Sequence, residues 1–250
     1  MLADLSLAQF AMILATYMFA ATAKGITGMG FSTTCLPILA LVVGLKEALP
    51  LVVIPSICSN LIVMRQAGRF GETVARFWPM LLALLPGLAL GLWVLSGIDG
   101  VQAGAVLGVI LLLWCAFSLA KPDLRLPAHL ERPVAPISGC ITGFINGLTG
   151  SQVMPAVPFL MMLGLDRSLF IQAINCSFTL SSLVMVVGLA QLGLFGRDDL
   201  LVSALGACLV LFGIRMGEAV RHRLSERWFR NAVLGMLTVM GLGLILPVVA

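Results

Sequence analysis

A short segment, Lys24-Gly25-Ile26-Thr27-Gly28, recurs 122 residues later as Asn146-Gly147-Leu148-Thr149-Gly150. Both copies lie in strongly apolar sequence, where a polar group without a partner is costly. The chemistry they offer is anion binding. Gly28, Gly30 and Gly150 let backbone N–H groups turn into a concavity, and a helix starting there presents the positive end of its dipole. Thr27, Ser32, Thr149, Ser151 and Gln152 add hydrogen-bond donors, and Lys24 adds a cation. A lone lysine also fits an anchor that snorkels to an interface, but its repeat mate Asn146 has no charge to anchor. A second polar stripe, Gln172-Asn175-Thr179-Ser182, keeps i, i+3, i+7, i+10 spacing and so occupies one helix face. It reads as a wall of the same cavity, joined by Asn60 from the first half. Catalysis and metal binding find no support. His129 and His222 sit in loops without ligand partners, and the six cysteines lie in apolar runs with no CxxC pair. No enzyme activity, cofactor or metal is expected.

The elements that position these residues follow from composition. Of 250 residues, 60% are apolar and 10% charged, with mean hydropathy +1.09 and net charge +4. A soluble domain is about half apolar and about a quarter charged. A water-soluble enzyme is excluded, and so is a nucleic-acid binder. The lipid bilayer is the expected surroundings.

Charge-free runs cover 5–23, 25–45, 48–64, 77–98, 100–120, 133–165, 168–196, 200–214 and 231–250. Most fit one spanning helix of about 20 residues. The run 133–165 is too long for one span and is interrupted by Gly147, Gly150, Pro155 and Pro158. From Arg132 to Asn146 a helix rises about 21 Å, short of a hydrocarbon core of about 30 Å. The motif therefore turns inside the membrane, where irregular backbone survives only in protein or beside a wet cavity. The N-terminus carries Asp4 and no basic residue, so the first apolar run is expected to belong to the mature fold and not to a signal peptide.

Eleven of the fifteen Lys and Arg residues fall in three groups: Arg65, Arg69 and Arg76; Lys121, Arg125 and Arg132; and Arg215, Arg221, Arg223, Arg227 and Arg230. The positive-inside rule makes these loops cytoplasmic and puts both termini outside. The duplication extends along the chain: Gly87-x-x-x-Gly91 is matched by Gly213-x-x-x-Gly217, and Ala105–Gly108 by Ala232–Gly235. Equivalent loops carry opposite charge character and so lie on opposite faces. The expected fold is an all-α polytopic membrane protein with 8–10 membrane segments. Two inverted-topology repeats, residues 1–120 and 134–250, flank a cytoplasmic linker at 121–133, and broken or short helices meet near the membrane midplane. Such repeats characterise secondary transporters working by alternating access; a passive anion channel of the same architecture is the alternative. The small-xxx-small faces permit a homodimer.

The pattern small-xxx-Gly-xx-Gly followed by a proline-containing half-helix occurs at 21–37 and 143–158. With the turn Arg65-Gln66-Ala67-Gly68-Arg69-Phe70 and the Gly87/Gly91 helix, it resembles the sulfite exporter TauE/SafE family over nearly the whole chain. The glycine string usual there is reduced to Gly28-Met29-Gly30-Phe31 and Gly150-Ser151-Gln152. The resemblance implies a multi-pass transporter of the bacterial inner membrane. Its partner would be a small organic or inorganic sulfur anion such as sulfite or a sulfonate.

Overall fold

The glycines that open the two breaks also end two helices in the same way. The computed structural model describes residues 6–120, 124–221 and 225–249. Asp4, Lys121, His222 and Arg223, used above for topology and ligand arguments, lie outside the described residues, as do the side chains of Arg197 and Arg227. The first half holds α1 (Leu7–Thr27), α2 (Phe31–Val43), α3 (Leu45–Ala67), α4 (Phe70–Gly97) and α5 (Gly100–Ala120). The second holds α6 (Ala128–Thr149), α7 (Ala156–Met162), α8 (Arg167–Gln191), α9 (Arg197–Arg221) and α10 (Glu226–Val249). Gly28 caps α1 at φ 83° with its N–H on the Lys24 carbonyl, and Gly150 caps α6 at φ 75° with its N–H on the Asn146 carbonyl. That left-handed backbone is strained for any residue with a Cβ.

Among the described residues, seven helices are long and apolar enough to cross a membrane: α1, α3, α4, α5, α8, α9 and α10. The run 133–165 does divide, into α6 and the seven-residue α7. At about 1.5 Å per residue α7 rises about 10 Å and α2 about 20 Å, so neither spans. Leu82, Leu90, Trp93, Phe212 and Val239 stand exposed on the outside of the bundle. Water would penalise such a belt, whereas lipid accommodates it.

The helices pair as α1 with α9, α4 with α6, α3 with α8, and α5 with α10. Exchanging the halves converts the first pairing into the second and leaves the other two unchanged. The glycine pairs behave as their spacing predicts. A Cβ on Gly91 would lie 2.2 Å from the Phe144 carbonyl and 2.9 Å from the Gly147 Cα; one on Gly217 would lie 2.2 Å from the Thr22 carbonyl and 2.9 Å from the Gly25 Cα. Backbones this close gain dispersion contact along their length, the chief attraction between helices in lipid.

Proline in α3 creates a need that a distant helix meets. Pro55 has no N–H, so the Leu51 carbonyl one turn earlier loses its helical donor. The buried Tyr17 hydroxyl of α1 donates to that carbonyl at 2.8 Å, and Ser203 of α9 donates to the neighbouring Pro50 carbonyl at 3.0 Å. Both bonds fix α3 between α1 and α9.

At the charged start of α6, Arg76 Nε and Nη2 donate to the two oxygens of Glu131 at 2.6 and 2.8 Å. This pairing holds the Glu131 carboxyl below the usual carboxylate range. Its stabilisation is therefore full above that range and fades as the pH falls through the lowered value. The pair is partly open to solvent, which limits its worth to about 1 kcal/mol or less. Glu131→Gln is expected to lower the melting temperature slightly at neutral pH and to match the parent at pH values where Glu131 is protonated. Thermal melts at both pH values check this.

Candidate functional site

Lys24 is buried in the last turn of α1, with 1% of its surface exposed. Its Nζ donates to Ser59 Oγ at 3.1 Å and to Asn60 Oδ1, both on α3. Among the described residues it has no carboxylate partner. An ammonium removed from water without a counter-charge costs several kcal/mol. A snorkelling anchor would reach the surface, and this side chain does not.

Ser56 lies one turn before Ser59 and Asn60 on α3 and so shares a face with them. Ser59 Oγ donates to the Ser56 carbonyl at 2.7 Å, and Ser56 Oγ shares a 2.8 Å hydrogen bond with Ser32 on α2. Ser32 and Ser56 in turn line a cavity of about 10 Å³, room for about one water molecule, together with Asn146, Gly150, Gln152 and Ser182. One face of α3 thus joins the polar residues of the first break to those of the second. At the sequence register of 122, Lys24, Ser59 and Asn60 align with Asn146, Ser181 and Ser182. In the second half Gln152 Nε2 donates to Ser182 Oγ at 3.1 Å. Asn146 is fully buried, and neither amide atom has a partner among the described residues; the same is true of Ser151 Oγ and Gln152 Oε1. Buried polar atoms are normally bonded, so this concentration marks a place built for something polar.

The polar face of α8 reaches the first break. Asn175 Nδ2 donates to the Gly28 carbonyl at 3.2 Å and to the Ile171 carbonyl at 2.8 Å, while its Oδ1 is unpartnered. Gln172 accepts from the Arg69 N–H at 3.4 Å and keeps an unpartnered Nε2. The two threonines differ from expectation. Thr27 Oγ1 lies 3.0 Å from the Ala23 carbonyl and 2.7 Å from that of Met29, and Thr149 donates to Ile145 at 2.7 Å. A hydroxyl has one proton, and in both threonines a nearby backbone carbonyl takes it in this structure. Gly30 begins α2 at φ 90° with no side-chain cap, leaving first-turn N–H groups without helical acceptors. A Cβ there would meet nothing within 4 Å, and Gly30 lines a second cavity of about 620 Å³. At the register of 122 its counterpart is Gln152, which lines the small cavity.

Among the described residues no group of His, Cys, Asp or Glu is arranged to hold a metal. Residues 13–244 match the family model described as sulfite exporter TauE/SafE. The chain belongs to the TauE/SafE family. Members of this family are membrane transporters of sulfur anions and not enzymes, and seven apolar helices agree with that setting. No curated protein and no solved structure gives a significant match. Two of the family-like features are now physical: the glycine caps shape both breaks, and the Gly87/Gly91 helix packs on α6. Ser56, Ser59 and Ser182 complete the polar centre; their positions on polar-studded helix faces were the available signal.

Proposed function

We propose that this TauE/SafE protein is a secondary transporter that moves a small sulfur-containing anion by alternating access. The observation carrying this reading is Lys24, a buried cation held only by neutral groups beside a helix break. An intramembrane charge of this kind is kept for function. Lys24 supplies the charge, Asn60 and Ser59 orient it, and Asn146, Ser151 and Gln152 supply polar contacts from the second break. The two halves, 1–120 and 134–250, act as inverted repeats across the linker, a reading supported by pairings that survive exchange of the halves. The basic loops face the cytoplasm of a bacterial inner membrane, with both termini outside. Alternating access is favoured by the unequal breaks: Gly30 lines a large cavity, whereas Gln152 lines a space for about one water.

Proteoliposomes loaded and challenged with sulfite, thiosulfate, sulfoacetate, taurine, sulfate and chloride test the reading. Saturable uptake of a sulfur anion, accelerated by the same anion on the opposite side, is expected. Flux that rises linearly with concentration and shows no counterflow would refute a carrier.

A further inference from the structure

Buried charge is scarce in this bundle, and the two breaks carry it unequally. Among the described residues the buried charged side chains are Lys24 and Asp199. Asp199, in the first turn of α9, accepts from the Gly196 N–H at 2.8 Å and does not line the small cavity of the polar centre. Arg230 turns into the 620 Å³ cavity and does not line the small one either. Lys24 bears on the small cavity through α3: its Nζ donates to Ser59, Ser59 donates to the Ser56 carbonyl, and Ser56 lines the space. At the sequence register of 122 the counterpart of Lys24 is Asn146. Asn146 is fully buried, lines the same cavity, and leaves both amide atoms without a partner. An amide offers donors and an acceptor but no charge. The centre therefore holds one positive charge where an exact copy of the first segment would give it two. The cost of taking an ion out of water grows with the square of its charge, while its attraction to one ammonium grows only in proportion. A monoanion neutralises Lys24 and leaves no net buried charge. A dianion of the same shape leaves a negative charge that meets only an amide at Asn146.

We propose that the polar centre is a charge filter: with Asn146 in the place of a second cation, it takes singly charged anions in preference to dianions of the same shape. The inference rests on the transport reading and deepens it by naming the charge class of the anion and the residue that sets it. A tetrahedral oxyanion is larger than the space of about 10 Å³, so it enters as the halves part in that reading. The test is equilibrium binding at neutral pH to purified full-length protein in neutral detergent, which does not depend on transport. Sulfamate and sulfate are both tetrahedral and polar; an amino group in one replaces a charged oxygen in the other. Sulfamate is expected to bind at least about tenfold more tightly. Asn146→Lys supplies the second cation and is expected to reverse the order, favouring sulfate by at least about tenfold. Asn146→Met stays neutral and is expected to keep the order while binding both anions more weakly; it decides the role of charge if the lysine variant does not assemble. Sulfate binding the parent as tightly as sulfamate, or an unchanged order in folded Asn146→Lys, overturns the proposal. Loss of the preference in Asn146→Met also overturns it, assigning selection to the amide and not to the missing charge. Equal binding of the two anions that Lys24→Met abolishes would refute the filter and leave the transport reading standing. The expected preferences without flux would refute only the carrier.

Discussion

Lys24→Met is expected to lower sulfur-anion flux in proteoliposomes by about a hundredfold, the scale of losing one or two charge-assisted hydrogen bonds, while the protein remains folded. Methionine keeps the length and apolar stem of lysine but removes the charge. The fold tolerates the change because Lys24 stabilises no ion pair among the described residues; it is held by Ser59 and Asn60 alone. Losing it leaves those two groups short of a donor, at about 1–3 kcal/mol. The change also removes the desolvation cost of the ammonium, which opposes that loss. Size-exclusion profile and thermal melt should therefore resemble the parent's, and the defect should lie in flux. Full flux in Lys24→Met would sink the assignment of the cation, and collapse of the protein would show that the lysine is structural.

Gly147→Val is expected to do the opposite and prevent assembly. A Cβ at Gly147 would lie 2.3 Å from the Leu88 carbonyl, 2.7 Å from the Leu92 N–H nitrogen and 3.0 Å from the Gly91 carbonyl carbon. These are backbone atoms in the middle of α4, so no rotamer change relieves the clash. The helices must separate, losing the facing contacts of Gly139 and Gly143 as well. Overpacking a tight core commonly costs about 1–3 kcal/mol, and a forced separation of two backbones exceeds that range. The mirror substitution Gly25→Val meets the Ile214 carbonyl at 2.3 Å and should fail in the same way. Gly235 is the control: it is exposed on α10, with nothing within 4 Å of an added Cβ. Gly235→Ala should be neutral or stabilising by up to about 1 kcal/mol, since alanine favours helix. Yield of monodisperse protein distinguishes the three; equal yields would mean that α4 and α6 do not pack as described.

How far the residues alone led depends on the type of interaction. Breaks at Gly28 and Gly150 and the close glycine contacts were legible because they are local or periodic: a helix must end where only glycine fits, and four-residue spacing marks one face. The burial of Lys24 was legible through its repeat mate. Partnerships across the bundle were not. Nothing near Pro55 announces that Tyr17, on another helix, will supply the donor its ring removes. Thr27 and Thr149 looked like free donors because a sequence does not show which carbonyl a hydroxyl will take. Arg230 read as one more member of a basic group, since an arginine that marks a membrane face and one that turns into a cavity have the same neighbours in the chain.

The replacement of Gly30 by Gln152 in the second half has a kinetic meaning. In the carrier proposed above, two breaks of different chemistry would give half-saturation concentrations that differ between its two faces. At equilibrium the Haldane relation requires a compensating difference in maximal velocity, so unequal breaks in such a carrier would not rectify the flow. Direction would be left to the concentrations and the voltage outside the protein. The single glutamine would set the concentration range over which each face responds to them.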